Sequence, residues 1–80
     1  MVTVLYRQRH GYDVVIHTED HGPAHVHVIR GGNEVLIELV TWRILENHRF
    51  NERELRRIRN LLREHEALLV ETWSRLHESQ

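Results

Sequence analysis

The segment Asp20-His21-Gly22-Pro23-Ala24-His25-Val26-His27-Val28 gathers three imidazoles and a carboxylate on a short loop and the strand that follows it. Neutral imidazole nitrogens ligate transition metals, and an imidazole near neutrality also gives and takes protons. His25 and His27 are two positions apart, so in a strand they project from one face. His21 lies on the loop that feeds that strand. Such a set suits zinc, nickel or iron, with His21, His25, His27 and Glu38 as metal ligands and Asp20 as a further ligand or as an orienter of the rings. The same rings also suit metal-free acid–base work on a phosphodiester, one taking a proton and another returning it. On that reading His21, His25 and His27 are the candidate catalytic residues of a ribonuclease, with Glu38 or His17 in support. The third use is structural: the rings cap the loop, bond Asp20 and Glu38, and face a partner protein.

A second bias lies in the basic residues. All eleven are arginine, none is lysine, and eight further positions are histidine. Arg53, Arg56, Arg57, Arg59 and Arg63 precede Glu64, Glu66, Glu71 and Glu78 near the chain's end. Arginine makes forked contacts with phosphate and carboxylate, so Arg53, Arg56, Arg57 and Arg63 are candidates for binding nucleic acid or a protein partner. A formal net charge of -1 and the i,i+4 spacings Glu52 to Arg56 and Glu71 to Arg75 weigh toward a solvated or partner-facing surface.

These groups must be positioned by a small framework of strands and a helix. Residues 2–8 and 12–18 are β-branched and aromatic runs separated by Arg9, His10 and Gly11, which predicts a hairpin with glycine in the left-handed position of a three-residue loop. That register sets Val4 opposite Ile16, Tyr6 opposite Val14 and Arg7 opposite Asp13. Val2, Val4, Tyr6, Tyr12, Val14 and Ile16 then share one side, and Thr3, Leu5, Arg7, Asp13, Val15 and His17 the other. Gly31-Gly32 predicts a second, two-residue hairpin pairing Val28 with Val35, Val26 with Ile37, His27 with Leu36, His25 with Glu38 and Ile29 with Glu34. A simple meander follows from the tendency of consecutive strands to be neighbours.

Residues 41–50 are expected as a connector whose Trp42, Ile44 and Leu45 close one end of the core. Asn51 as N-cap, Glu54 as its capping-box partner and Phe50 stapled on Leu55 start a long helix over about 52–77. Leu55, Ile58, Leu61, Leu62, His65, Leu68, Leu69, Trp73 and Leu76 fall on an arc of about 140° that should cover the apolar side of the sheet. His65 reads as a core-edge residue on that arc. The fold class is therefore α+β: a four-stranded antiparallel sheet of two hairpins with one long C-terminal helix on one face, as a single domain over 1–80. Leu5, Val15, Ile29 and Leu36 would make the other face apolar enough to suggest a homo-oligomer or a protein partner.

An 80-residue chain without cysteine has no disulfide framework and no cysteine-ligated zinc module. No apolar run nears the ~20 residues needed to span a bilayer, and the first residues lack a long apolar stretch, so the cytoplasm is the expected location.

The chain resembles the small prokaryotic family named domain of unknown function 4160. The likeness is carried by the opening Met-x-Thr-Val-Leu strand, the histidine segment at Asp20 to Val28, the Gly-Gly hairpin, Asn51 to Ile58, and the late Trp73. Relatives commonly show two adjacent prolines where this chain has Pro23-Ala24. The resemblance implies a component of a toxin-antitoxin-like gene pair, bound to a cognate small protein encoded nearby, with transcriptional autoregulation. It implies no catalytic residues.

Overall fold

Gly31 takes the left-handed φ of 59° that a tight two-residue hairpin requires, and the pairing that it closes organises the molecule. The computed structural model describes residues 1–78. Its elements are β1 (Val2–Leu5), α1 (Arg7–His10), β2 (Asp13–Ile16), β3 (His25–Arg30), β4 (Asn33–Glu38), β5 (Ile44–His48), α2 (Glu52–Glu64) and α3 (Glu66–His77). The strands form one antiparallel meander in the order β1-β2-β3-β4-β5. The β3–β4 register pairs Val28 with Val35, Val26 with Ile37, His27 with Leu36, His25 with Glu38 and Ile29 with Glu34, as the sequence predicts. Val26, Val28, Val35 and Ile37 are completely buried, with Val14 and Ile16 of β2 beside them, and Leu55, Ile58, Leu62 and Leu69 close the core from the helices. Full burial of each such aliphatic side chain contributes about 1.5–3 kcal/mol.

The first hairpin departs from its expected register. Val2, not Val4, lies opposite Ile16, and a bulge between Thr3 and Leu5 brings Leu5 opposite Val14. Residues 7–10 form one helical turn, in which Gly11 at φ 86° caps Arg7 and the Asp13 carboxylate accepts from the Arg7 N–H at 2.8 Å. Local hydrogen bonding thus removes these residues from the ladder. As a consequence Leu5 turns into the core and Tyr6 faces solvent. The second face loses Leu5, and of its expected apolar set only Val15, Ile29 and Leu36 remain, Val15 itself being buried.

The connector contains a fifth strand. β5 pairs with β4 through Glu34↔His48, Val35↔Asn47, Leu36↔Glu46 and Ile37↔Ile44, so the sheet has five strands rather than four. As an edge strand with only Ile44 tucked against the core, it shows no alternation in its sequence. Trp42 is buried as expected, whereas Leu45 is exposed. The β4–β5 turn is tied by Glu38 N–H to Arg43 C=O at 2.8 Å and Trp42 N–H to Glu38 C=O at 2.9 Å.

The expected single helix is two. Asn51 caps α2 by accepting the Glu54 N–H at 2.8 Å, and Phe50 and Leu55 are both buried. At His65 the ladder breaks: its ring Nδ1–H donates to the Leu61 carbonyl at 3.0 Å, and its backbone N–H turns back to Leu62 at 3.1 Å. The side chain has taken the carbonyl that an uninterrupted helix reserves for the backbone. The changed direction leaves Leu68 exposed and brings Val70 against the core.

The sheet end that carries the hairpin turns is fastened to α2 by one buried group. The Tyr12 hydroxyl donates to Glu54, the Tyr12 ring meets Phe50 edge-on, and Arg30 lies over Tyr12 and within 3.8 Å of Glu54. Burial, followed by the Glu54 carboxylate, pushes the Tyr12 phenol above its ordinary value of 10.0 against the opposing pull of Arg30 and Arg57. The neutral phenol is therefore favoured by folding, and its stabilisation is complete below pH 10 and fades as the pH rises toward the folded value. Denaturant melts should show wild type losing stability above about pH 10 more steeply than Tyr12→Phe. Equal slopes would remove the phenol as the cause. Asn51→Ala should cost about 1 kcal/mol in the same melts at neutral pH.

Candidate metal centre

β3 alternates strictly, so burying Val26 and Val28 sends His25 and His27 to the opposite face. The loop between β2 and β3 then folds Asp20 over them. One oxygen, Asp20 Oδ2, lies 3.0 Å from His25 Nε2 and 2.9 Å from His27 Nε2. Asp20, His25 and His27 each offer a ligand atom, and all three atoms lie within 4.8 Å of one another. The side chains of His25 and His27 keep 10% and 12% of their exposure and Asp20 30%, so the carboxylate is the side open to solvent.

The outer nitrogens are also occupied. His25 Nδ1 is 2.9 Å from the Pro23 carbonyl, which can only accept, and His27 Nδ1 is 3.0 Å from Glu34 Oε2. Each ring thus has an acceptor at both nitrogens, whereas a neutral imidazole carries one proton. An outward Nδ1 contact to a carbonyl or carboxylate is the arrangement that orients metal-ligating histidines, and both rings make one. Burial opposes ionisation of Asp20, but the hydrogen bond from His27 and the nearby His25, His27 and His17 outweigh it and hold its carboxyl below the usual range. The carboxylate is therefore available as an anionic ligand.

Other expected participants lie around this centre in different roles. The His17 ring meets His27 edge-on at a centroid distance of 4.1 Å. His21 is exposed, outside the three-residue grouping. Glu38, although opposite His25 in the ladder, is engaged by the Thr41 hydroxyl at 2.7 Å and Arg43 at 3.5 Å. Asp20 and Glu34 take the places next to the rings. Glu34 is a diagonal neighbour of His27 in the predicted register, and long side chains reach across such diagonals, so the hairpin pairing already contained that signal. A contact with α3 was not legible: the Trp73 ring lies 5.3 Å from His25 and stacks on His77 at 3.8 Å. The remaining ring histidines are dispersed, His65 against His10 and His48 beside Glu46. The arginine candidates Arg53, Arg56, Arg57 and Arg63 are exposed on α2 and belong to a different surface.

Among the described residues no helix is long and apolar enough to cross a membrane. No curated protein and no solved structure matches the chain. The family described as Domain of unknown function (DUF4160) matches over residues 11–74, a span that contains the histidine loop, the Gly-Gly hairpin, the whole of α2 and Trp73. On that match the chain belongs to the DUF4160 family.

Proposed function

We propose that this domain binds a divalent transition-metal ion through His25 Nε2, His27 Nε2 and the Asp20 carboxylate. The observation that carries the proposal is the grouping itself: His25, His27 and Asp20 each offer a ligand atom within 4.8 Å of the others, while the outer Nδ1 atoms of both rings are engaged by Pro23 and Glu34. Imidazole with carboxylate suits zinc, nickel or iron. Three protein ligands are fewer than such ions take, so a bound ion keeps a position for water, which it would acidify toward neutrality. Held by His25, His27 and Asp20, such an ion would supply the Lewis-acid chemistry that hydrolysis of an RNA phosphodiester requires, with His21 outside the ligand set. Cleavage by wild type should then vanish on chelation and in His27→Ala.

The direct test uses protein purified without a histidine tag, stripped with a chelator and titrated with Zn(II), Ni(II) or Fe(II). Trp73 beside His25 offers an emission probe of occupancy. Asp20→Ala and His27→Ala should abolish binding, whereas His21→Ala and Glu38→Ala should leave it unchanged. Glu34→Gln should weaken it about 10–100-fold through the orientation of His27. Failure of wild type to bind, or equal binding by His27→Ala, would overturn the proposal.

A second role, as the protein-binding member of a toxin-antitoxin-like pair, is supported by the family resemblance and by one feature of the sheet. β5 is an edge strand with Leu45 outward, and the exposed Val40 lies in the turn before it. Backbone groups on such an edge can pair with another chain. Mixing the domain with the small protein encoded beside its gene should produce a heteromeric peak in size-exclusion chromatography, and Leu45→Lys should diminish it. A domain that elutes unchanged beside that neighbour argues against the pairing, and its elution alone reports self-association.

A further inference from the structure

Stepped at 100° per residue, Arg53, Arg56, Arg57, Asn60 and Arg63 fall within an arc of about 120° on α2. The arc lies opposite Leu55, Ile58 and Leu62, which face the core, and these five residues are all exposed. The intramolecular explanation of these charges fails. Arginine ion pairs among the described residues are Arg30–Glu54, Arg43–Glu38 and Arg75–Glu71, so no carboxylate oxygen lies within 4.0 Å of the Arg53, Arg56, Arg57 or Arg63 guanidinium. Glu54, the acid best placed in the first turn, is committed to Tyr12 and Arg30 on the other side of the helix. One acid, Glu64, shares the arc, leaving the guanidinium groups in clear excess.

We propose that this stripe of α2 binds the sugar–phosphate backbone of a nucleic acid. From Arg53 to Arg63 the helix rises about 15 Å, with successive arginines about 4.5, 1.5 and 9 Å apart along the axis, a set of fork-shaped donors suited to a run of phosphates. An acidic protein partner fits less well, because specific protein interfaces centre on apolar or aromatic side chains, and the stripe contains none. Its residues are also separate from the Asp20–His25–His27 centre, so nucleic-acid binding is independent of the metal proposal.

Fluorescence anisotropy with a short labelled duplex DNA and a single-stranded RNA of equal length, in chelator so that metal plays no part, tests this. Four phosphate contacts give a salt slope of up to about −3.6 on duplex, hence a fall in affinity of about 150-fold between about 50 and 200 mM salt. Arg53→Ala/Arg56→Ala removes two exposed side chains and should leave the thermal melt unchanged. Its slope should drop by about half, to a fall of about 12-fold over the same range. Binding of the duplex with those slopes, or of the single strand with a slope of up to about −2.8 that the double variant halves, supports the proposal, and which probe binds tells DNA from RNA. Absence of binding to both probes overturns it, as does an unchanged slope in the double variant. Displacement by polyglutamate at equal charge concentration would assign the stripe to an acidic protein instead.

Discussion

Strand β3 has neighbours on both sides, and its alternation admits one register. Val26 and Val28 are fully buried, and a slip of one residue would expose them while driving His25 and His27 into an aliphatic core. Burying an imidazole without partners costs several kcal/mol in the least polar surroundings, so the valines and histidines of this strand enforce the same pairing from opposite faces. The geometry at Asp20 follows from it. Two rings held two residues apart on a paired strand can converge on one carboxylate without any special backbone, and the loop needs only to bring Asp20 within reach.

The helices secure that sheet unevenly. α2 is attached near its start by the Tyr12–Glu54–Arg30 group and toward its other end by Arg59, whose Nε–H donates to the Trp42 carbonyl at 3.2 Å. The second attachment holds an unfavourable turn: Val40 and Trp42 have φ of 75° and 61°. A left-handed conformation in non-glycine residues costs about 1–3 kcal/mol each. Here it is offset by burial of the Trp42 side chain and by the hydrogen bonds around Glu38. Among the described residues α3 has no equivalent polar attachment to the sheet and is held by packing. Leu69 is its one buried residue, and its half-buried Trp73 rests on His25. The ring that faces Asp20 is thus also part of the surface on which the last helix lies.

Which parts of this were legible depended on how many constraints each residue satisfied. In the β3–β4 hairpin, turn chemistry and alternation agreed, and every predicted pair from Ile29↔Glu34 to His25↔Glu38 is present. In the first hairpin they disagreed. Tyr6 looked like an inward residue by alternation, but the helical turn at Arg7–His10 and the bulge before Leu5 displaced it. β5 was hidden because an edge strand with a single inward residue carries no period to read. The break at His65 was hidden for another reason: the apolar spacing continues across it, and only the ring's bond to Leu61 interrupts the helix. The candidate site divided along the same line. His25 and His27 were legible from spacing and Asp20 from its place on the loop that feeds them, whereas Glu34 rather than Glu38 stands beside His27 because diagonal reach decides which carboxylate arrives.

The three groups of the centre are held by three different parts of the chain. His25 is oriented by the Pro23 carbonyl two residues earlier, so its aim depends on the local loop and not on β4. His27 is oriented by Glu34, across the hairpin, so its aim depends on the β3–β4 register. Asp20 belongs to neither strand and is placed by the loop, whose Asp20 N–H turns back to the His17 carbonyl at 3.2 Å. An ion bound to all three would therefore tie loop and hairpin together through ligands whose supports are independent. Through His25 it would also firm the bed of Trp73 and α3. Neither histidine relies on the other for its outward contact, His25 bonding Pro23 and His27 bonding Glu34. The centre is thus assembled by convergence of separately supported residues, and that is why a chain this small can present it without a dedicated framework.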